Sequence, residues 1–89
     1  MSFLRITSNI ILNKKYIRSI EYCKGSNGIL FKYQECIIIN LQENYNRKKI
    51  HRRKTHIIKP DGSYDCNFSS NKKNKIYYKQ IKEEFFPDY

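Results

Sequence analysis

Eighty-nine residues suffice for one small domain, 1–89, because a second core would need roughly 50 residues of its own. Eighteen Lys and Arg against 8 Asp and Glu leave a net charge of +10, which favours polyanions or anionic surfaces as the class of partner. A chain this short also has little stability to spare for a deep catalytic cavity, so an elaborate enzyme is excluded on size.

Ile (14), Lys (13), Asn (9) and Tyr (8) make up half of the chain, while Ala, Val and Trp are absent. The abundant residues have AT-rich codons, which points to an AT-rich source such as a large DNA virus, a parasite or an organelle genome. Codon usage then accounts for part of the positive charge. The lack of Ala, with many β-branched and aromatic residues, favours strands over a helical bundle.

In chain order, Phe3-Leu4-Arg5-Ile6-Thr7, Ser8-Asn9 and Ile10-Ile11-Leu12 read as a strand, a tight polar turn and a second strand. Nothing in this stretch reads as a secretory leader, and no apolar run approaches the ~18–20 residues of a membrane-spanning helix. A third strand is predicted over 16–23, followed by a reversal at Gly25-Ser26-Asn27-Gly28. Placing Gly25 opposite Gly28 puts Tyr22 against Phe31, Ile20 against Tyr33 and Arg18 against Glu35, which groups the apolar residues on one face. In that register Cys23 and Cys36 fall opposite Leu30 and Ile17, so they are not a directly paired disulfide. Three widely spaced cysteines, Cys23, Cys36 and Cys66, fit reduced thiols in an intracellular setting.

Cys36 to Leu41 reads as a buried strand, and 42–54 as a basic loop or strand extension. A strand through Ile57 and Ile58, the turn Pro60-Asp61-Gly62, and a return strand with Tyr64, Cys66 and Phe68 inward make a second hairpin. Tyr77, Ile81 and Phe85 recur at helical spacing, which predicts a C-terminal helix over 75–86 with Asn74 as its N-cap and Pro87 beyond its end. The predicted fold is α+β and mainly β. It consists of a single antiparallel sheet of five or six strands, strongly twisted or partly barrel-like, closed on one face by that helix. The predicted core is Leu4, Ile6, Ile11, Ile20, Phe31, Tyr33, Ile38, Ile57, Phe68, Ile81 and Phe85.

The sharpest chemical feature is the run from Arg47 to Lys54, in which Arg47, Lys48, Lys49, Arg52, Arg53 and Lys54 place six positive charges in eight residues. Such a cluster neutralises phosphates and releases counterions from DNA or RNA. It also fits a solvated, codon-biased loop, or a nuclear-targeting or protein-docking signal. The lysines at 72–79, Lys72 and Lys73 first among them, extend the candidate nucleic-acid-binding set, and Tyr45 beside the run is the best stacking platform. The charge is asymmetric: residues 1–46 carry 6 basic and 3 acidic groups, residues 47–89 carry 12 and 5. Cys23, Cys36, Cys66, His51 and His56 include enough soft donors for zinc, but not at finger spacing, and no metal or cofactor is predicted. Neither a phosphate loop, a nucleophile elbow nor a carboxylate pair able to face one substrate is present, and the chain is read as a non-enzyme.

The pattern Phe3-Leu4-Arg5-Ile6, Ile10-Ile11-Leu12-Asn13 and Tyr16-Ile17-Arg18-Ser19-Ile20-Glu21 resembles the opening of small uncharacterised β-domain proteins of AT-rich giant DNA viruses of amoebae. The resemblance covers residues 3–33 and returns at Tyr78-Lys79-Gln80-Ile81-Lys82. More distantly, the opening strands are similar to LytTR-type DNA-binding domains, from which the basic run at 47–54 departs. These resemblances imply a viral protein of the host cytoplasm or nucleus, or of the virion, and a DNA-contacting role; neither transfers a functional residue. Two functional expectations follow. One is a basic module contacting nucleic acid through the phosphate backbone; the alternative is a structural or protein-interaction component of a virion or ribonucleoprotein. An open sheet with the run Ile37-Ile38-Ile39 further predicts a homodimer, whereas folding of 42–54 over the second face would leave a monomer.

Overall fold

A computed structural model describes residues 2–27, 32–42, 54–65 and 71–89. Their order is β1 (Phe3–Thr7), β2 (Ile10–Asn13), a 3-10 turn (Lys14–Tyr16), β3 (Ile17–Cys23), β4 (Ser26–Asn27), β5 (Lys32–Tyr33), β6 (Cys36–Leu41), β7 (Thr55–Ile58) and α1 (Lys72–Phe85). The molecule is mainly β with one C-terminal helix, as the composition implied.

The predicted single sheet does not form. Among the described residues β1 pairs only with β2, β6 lies between β3 and β7, and β4 and β5 form a two-residue ladder that prolongs the β3–β6 hairpin. No barrel closes. The division falls at the 3-10 turn, where the Asn13 side chain accepts a hydrogen bond from the Lys15 amide at 3.0 Å and turns the chain away from β2. The two sheets meet through side chains instead of backbone pairing.

The N-terminal hairpin forms as read, with Leu4 opposite Leu12 and Arg5 opposite Ile11. An irregularity between Arg5 and Thr7 lets the neighbours Ile6 and Thr7 both become buried, as a bulge does by breaking strict alternation. Ile11 therefore points outward at 48% exposure, and Leu12 takes the core place expected of it.

The β3–β6 register is also different from the one predicted. Tyr22 pairs with Ile37 and Ile20 with Ile39, while Ser26 and Asn27 pair with Tyr33 and Lys32 as strand residues, so they are not the reversal expected there. Cys23 stands directly opposite Cys36, overturning the expectation that they are out of register. This pairing turns Ile37, Ile39 and Leu41 inward, with Ile58 beside Ile37 on β7. Ile38 and Ile57 face the other side and are half-buried, and Ile20 packs partly against the core. On that outer face the Asn40 amide donates to Ser19 at 3.0 Å and Glu21 at 3.3 Å, and its carbonyl accepts from the Thr55 hydroxyl at 3.2 Å, giving a polar rung across three strands. Phe31 and Phe68, also expected in the core, lie outside the described residues, as does the Tyr33 side chain.

The turn after β7 matches its sequence signal. Gly62 has φ +89°, the left-handed conformation glycine adopts without steric cost, and its amide donates to the Lys59 carbonyl at 3.0 Å. Asp61 accepts from the Ser63 amide and hydroxyl at 2.9 and 2.6 Å. Beyond it Tyr64 bridges Ile58 and packs against the core; Cys66 lies outside the described residues.

The helix begins earlier than predicted, at Lys72, because Asn71 rather than Asn74 caps it, accepting from the Lys73 amide at 2.8 Å. Asn74 instead joins three segments: its side-chain oxygen accepts from the Ser8 amide at 2.8 Å and its nitrogen donates to the Gly62 carbonyl at 3.0 Å. The buried residues are Tyr78 and Ile81, not the Tyr77, Ile81, Phe85 stripe. Tyr77 lies under the Arg5 guanidinium, 5.7 Å from its ring, and Phe85 is 37% exposed with the Lys14 ammonium at 5.7 Å. At the other end Phe86 caps the helix and packs on Tyr22 at 5.5 Å between ring centroids, just before Pro87 as expected. The core joins all three parts: Leu4, Ile6 and Leu12 from the hairpin; Ile37, Ile39, Leu41 and Ile58 from the sheet; Tyr78 and Ile81 from the helix. Burying each large aliphatic contributes about 1.5–3 kcal/mol.

Candidate nucleic-acid interface

Six of the nine predicted contact residues, Tyr45, Arg47, Lys48, Lys49, Arg52 and Arg53, lie outside the described residues, as does His51. Lys54 is exposed at the foot of β7, where its carbonyl accepts from the Leu41 amide at 2.7 Å. Lys72 and Lys73 are exposed in the first turn of α1. The structure thus brings only a part of the predicted set into view.

Helix geometry sorts the lysines at 72–79, expected to contact nucleic acid, onto separate faces and adds Lys82 to them. At 3.6 residues per turn, Lys72, Lys75, Lys79 and Lys82 fall within about 80° of arc, spread over about 15 Å of helix axis. Lys72, Lys75 and Lys79 are exposed on the side opposite Ile81, so one face of α1 is a row of ammonium groups. Lys73 sits on the flank shared with Tyr77 and Glu84 instead. The spacing i, i+3, i+7, i+10 is present in the sequence, but only the helix places the four on one side.

Lys82 closes the row against the body of the protein. Its ammonium lies 3.4 Å from Glu35 and 5.3 Å from the Tyr22 ring. Partial burial opposes its charge, yet hydrogen bonds with Tyr22 and Glu35 prevail and raise its pKa. Glu35 also accepts from the Tyr78 hydroxyl at 2.5 Å, and that bond, with help from Tyr22 and Lys82, holds its carboxyl below the usual range despite some burial. Burial, reinforced by the Glu35 charge, pushes the Tyr78 phenol well up. Glu35 therefore ties helix to sheet and orients the end of the lysine row. The sequence register had set it opposite Arg18; the available signal was Tyr78 and Lys82 one helical turn apart, both able to reach one acid.

No family model, curated protein or solved structure matches this chain.

The metal donors that are described do not converge. Cys23 and Cys36 are on the outer face of the three-stranded sheet, whereas His56 is buried on the inner face with its Nδ1 2.5 Å from the Tyr64 hydroxyl. Among the described residues no three His, Cys, Asp or Glu side chains form a group able to hold a metal ion. In the same set of residues no helix is long and apolar enough to cross a membrane. A cleft of about 340 Å³ opens between β1 and α1 beside Phe3, Lys14, Gln80 and Glu84, and the Lys14–Glu84 pair at 3.2 Å spans its wall.

The arrangement suits contact with a line of negative charges. Ammonium groups on flexible stems act as point charges without a fixed fork geometry, so they bind phosphate without reading bases.

Proposed function

We propose that this chain is a non-enzymatic basic module that contacts nucleic acid through the phosphate backbone. The observation that carries the reading is the exposed row Lys72, Lys75 and Lys79 on one helix face, ending at Lys82. The net charge of +10 and the sequence run 47–54 add to it. The helix supplies a rigid support, because Asn71 and Asn74 secure one end and Glu35, Tyr22 and Phe86 the other. Backbone contact of this kind is sequence-tolerant and salt-sensitive.

The test is binding of fluorescent single-stranded RNA and duplex DNA by the full chain from about 50 to 200 mM salt. Replacing Lys72, Lys75 and Lys79 together with Gln is expected to reduce the slope of log K against log salt by about 2–3 for the duplex. An unchanged slope removes the helix row from the interface. No binding at low salt rejects the reading altogether and favours a structural or protein-interaction component, whose apolar contacts respond little to salt.

A further inference from the structure

We infer that Cys23 and Cys36 form a reversible dithiol–disulfide couple, a modification site for low-molecular-weight disulfide oxidants that locks β3 to β6. The inference goes beyond the polyanion reading and does not depend on it. The two residues are directly opposed in the antiparallel ladder, side by side on the outer face of the sheet. Directly opposed residues bring their Cβ atoms to about 4.5–5.5 Å, close to what a disulfide needs with a small backbone adjustment. Both are free thiols in this structure, and they differ in access: Cys23 is exposed and Cys36 half-buried.

That asymmetry sets an order of events. Burial, followed by the neighbouring Cys23, pushes the Cys36 thiol up to about 11, with Glu35 adding to this and Lys59 opposing it. Cys36 is therefore protonated at neutral pH, and Cys23 is the thiol an oxidant meets first. The Cys23 thiolate attacks one sulfur of a disulfide RSSR, forming a mixed disulfide and releasing RS⁻, which takes up the proton Cys23 gave. The Cys36 thiolate then attacks the Cys23 sulfur; the intramolecular S–S bond forms, the mixed disulfide breaks, and a second RS⁻ leaves as RSH. Two protein thiols are oxidised by two electrons while one RSSR becomes two RSH.

The closed loop spans residues 23–36, so the bond constrains mainly the unfolded chain. The full chain treated with glutathione disulfide at neutral pH is expected to lose about 2 Da, to yield a peptide joining Cys23 to Cys36, and to melt about 10–20 °C higher until dithiothreitol reverses it. The same should hold in Cys66→Ser, while Cys36→Ser should retain glutathione on Cys23. A crosslink to Cys66 in the native chain, a crosslink between two chains, or a lasting glutathione adduct on Cys23 with Cys36 intact would each overturn the inference. Wild-type peptide mapping decides the matter even if Cys66→Ser does not fold.

Discussion

Gly62→Ala tests how tightly the turn after β7 is joined to the helix. At φ +89° an L-residue gains about 1–2 kcal/mol of steric energy from its Cβ. The added methyl would also sit 2.3 Å from the Asn71 carbonyl oxygen, 3.0 Å from the Asn71 nitrogen and 3.1 Å from Cγ of Lys75. Lys75 can swing aside, but Asn71 is backbone at the helix cap, so the first turn of α1 must move. Overpacking of that kind costs about 1–3 kcal/mol. The sum is about 2–5 kcal/mol, and at about 4–8 °C per kcal/mol for a domain of this size the melting temperature should fall by roughly 8–40 °C. Thermal unfolding followed by circular dichroism measures it. A variant melting within a few degrees of the wild type would mean that turn and helix are not in contact and that the packing described for Asn71 and Asn74 is wrong.

Acid should weaken the fold through Glu35. Its folded pKa lies below the ordinary 4.5, so its contribution is present above that value and is lost as the pH falls through 4.5 and then through the folded pKa. Asp61, held down by the Ser63 hydrogen bonds, acts in the same sense. Melting curves of Glu35→Gln should therefore show a smaller loss below about pH 4.5 than the wild type; equal losses would place the acid sensitivity elsewhere. Asn71→Ala should lower the melting temperature by about 4–8 °C, the loss of one N-cap, and Asn71→Ser should restore most of it. If Asn71→Ala is neutral in the same melts, the helix does not start where the structure puts it.

Turn chemistry and periodicity made the elements legible. Ser8-Asn9 and Pro60-Asp61-Gly62 mark real reversals, Pro87 stands just past the helix, and the strands through Ile20, Ile38 and Ile57 exist. The failures share one cause, a local pattern that allows more than one answer. Ile37-Ile38-Ile39 has no polar–apolar alternation, so nothing in the run says which face is inward; partners Tyr22 and Ile58 decide it. Gly25 and Gly28 attract a tight turn between them, yet longer-range pairing makes Ser26 and Asn27 strand residues. Asn71 and Asn74 are equally good caps by type, as Tyr77 and Tyr78 are equally good core residues, and only the tertiary contacts of Asn74 with Ser8 and Gly62, and of Tyr78 with Glu35, separate them. For the candidate interface, the lysine spacing on α1 was readable, but its exposure depended on knowing that Ile81 faces inward.

The ambiguity of the isoleucine run gives the polar rung at Asn40 a role beyond its hydrogen bonds. If β6 slid by two residues against both neighbours, Ile39 and Leu41 would take the places of Ile37 and Ile39 without loss, and only the end place of Leu41 would register the exchange within the core, by receiving Glu43. Asn40 would register it, because the slide carries it from between Ser19 and Thr55 to a position beside Ile57, where its carbonyl loses the Thr55 hydroxyl. A half-exposed amide thus adds a second discriminator, in the middle of the strand, between two pairings that the Ile37 and Ile39 places alone leave nearly equivalent. Its worth lies in the singleness of the native sheet, which a melting temperature does not report.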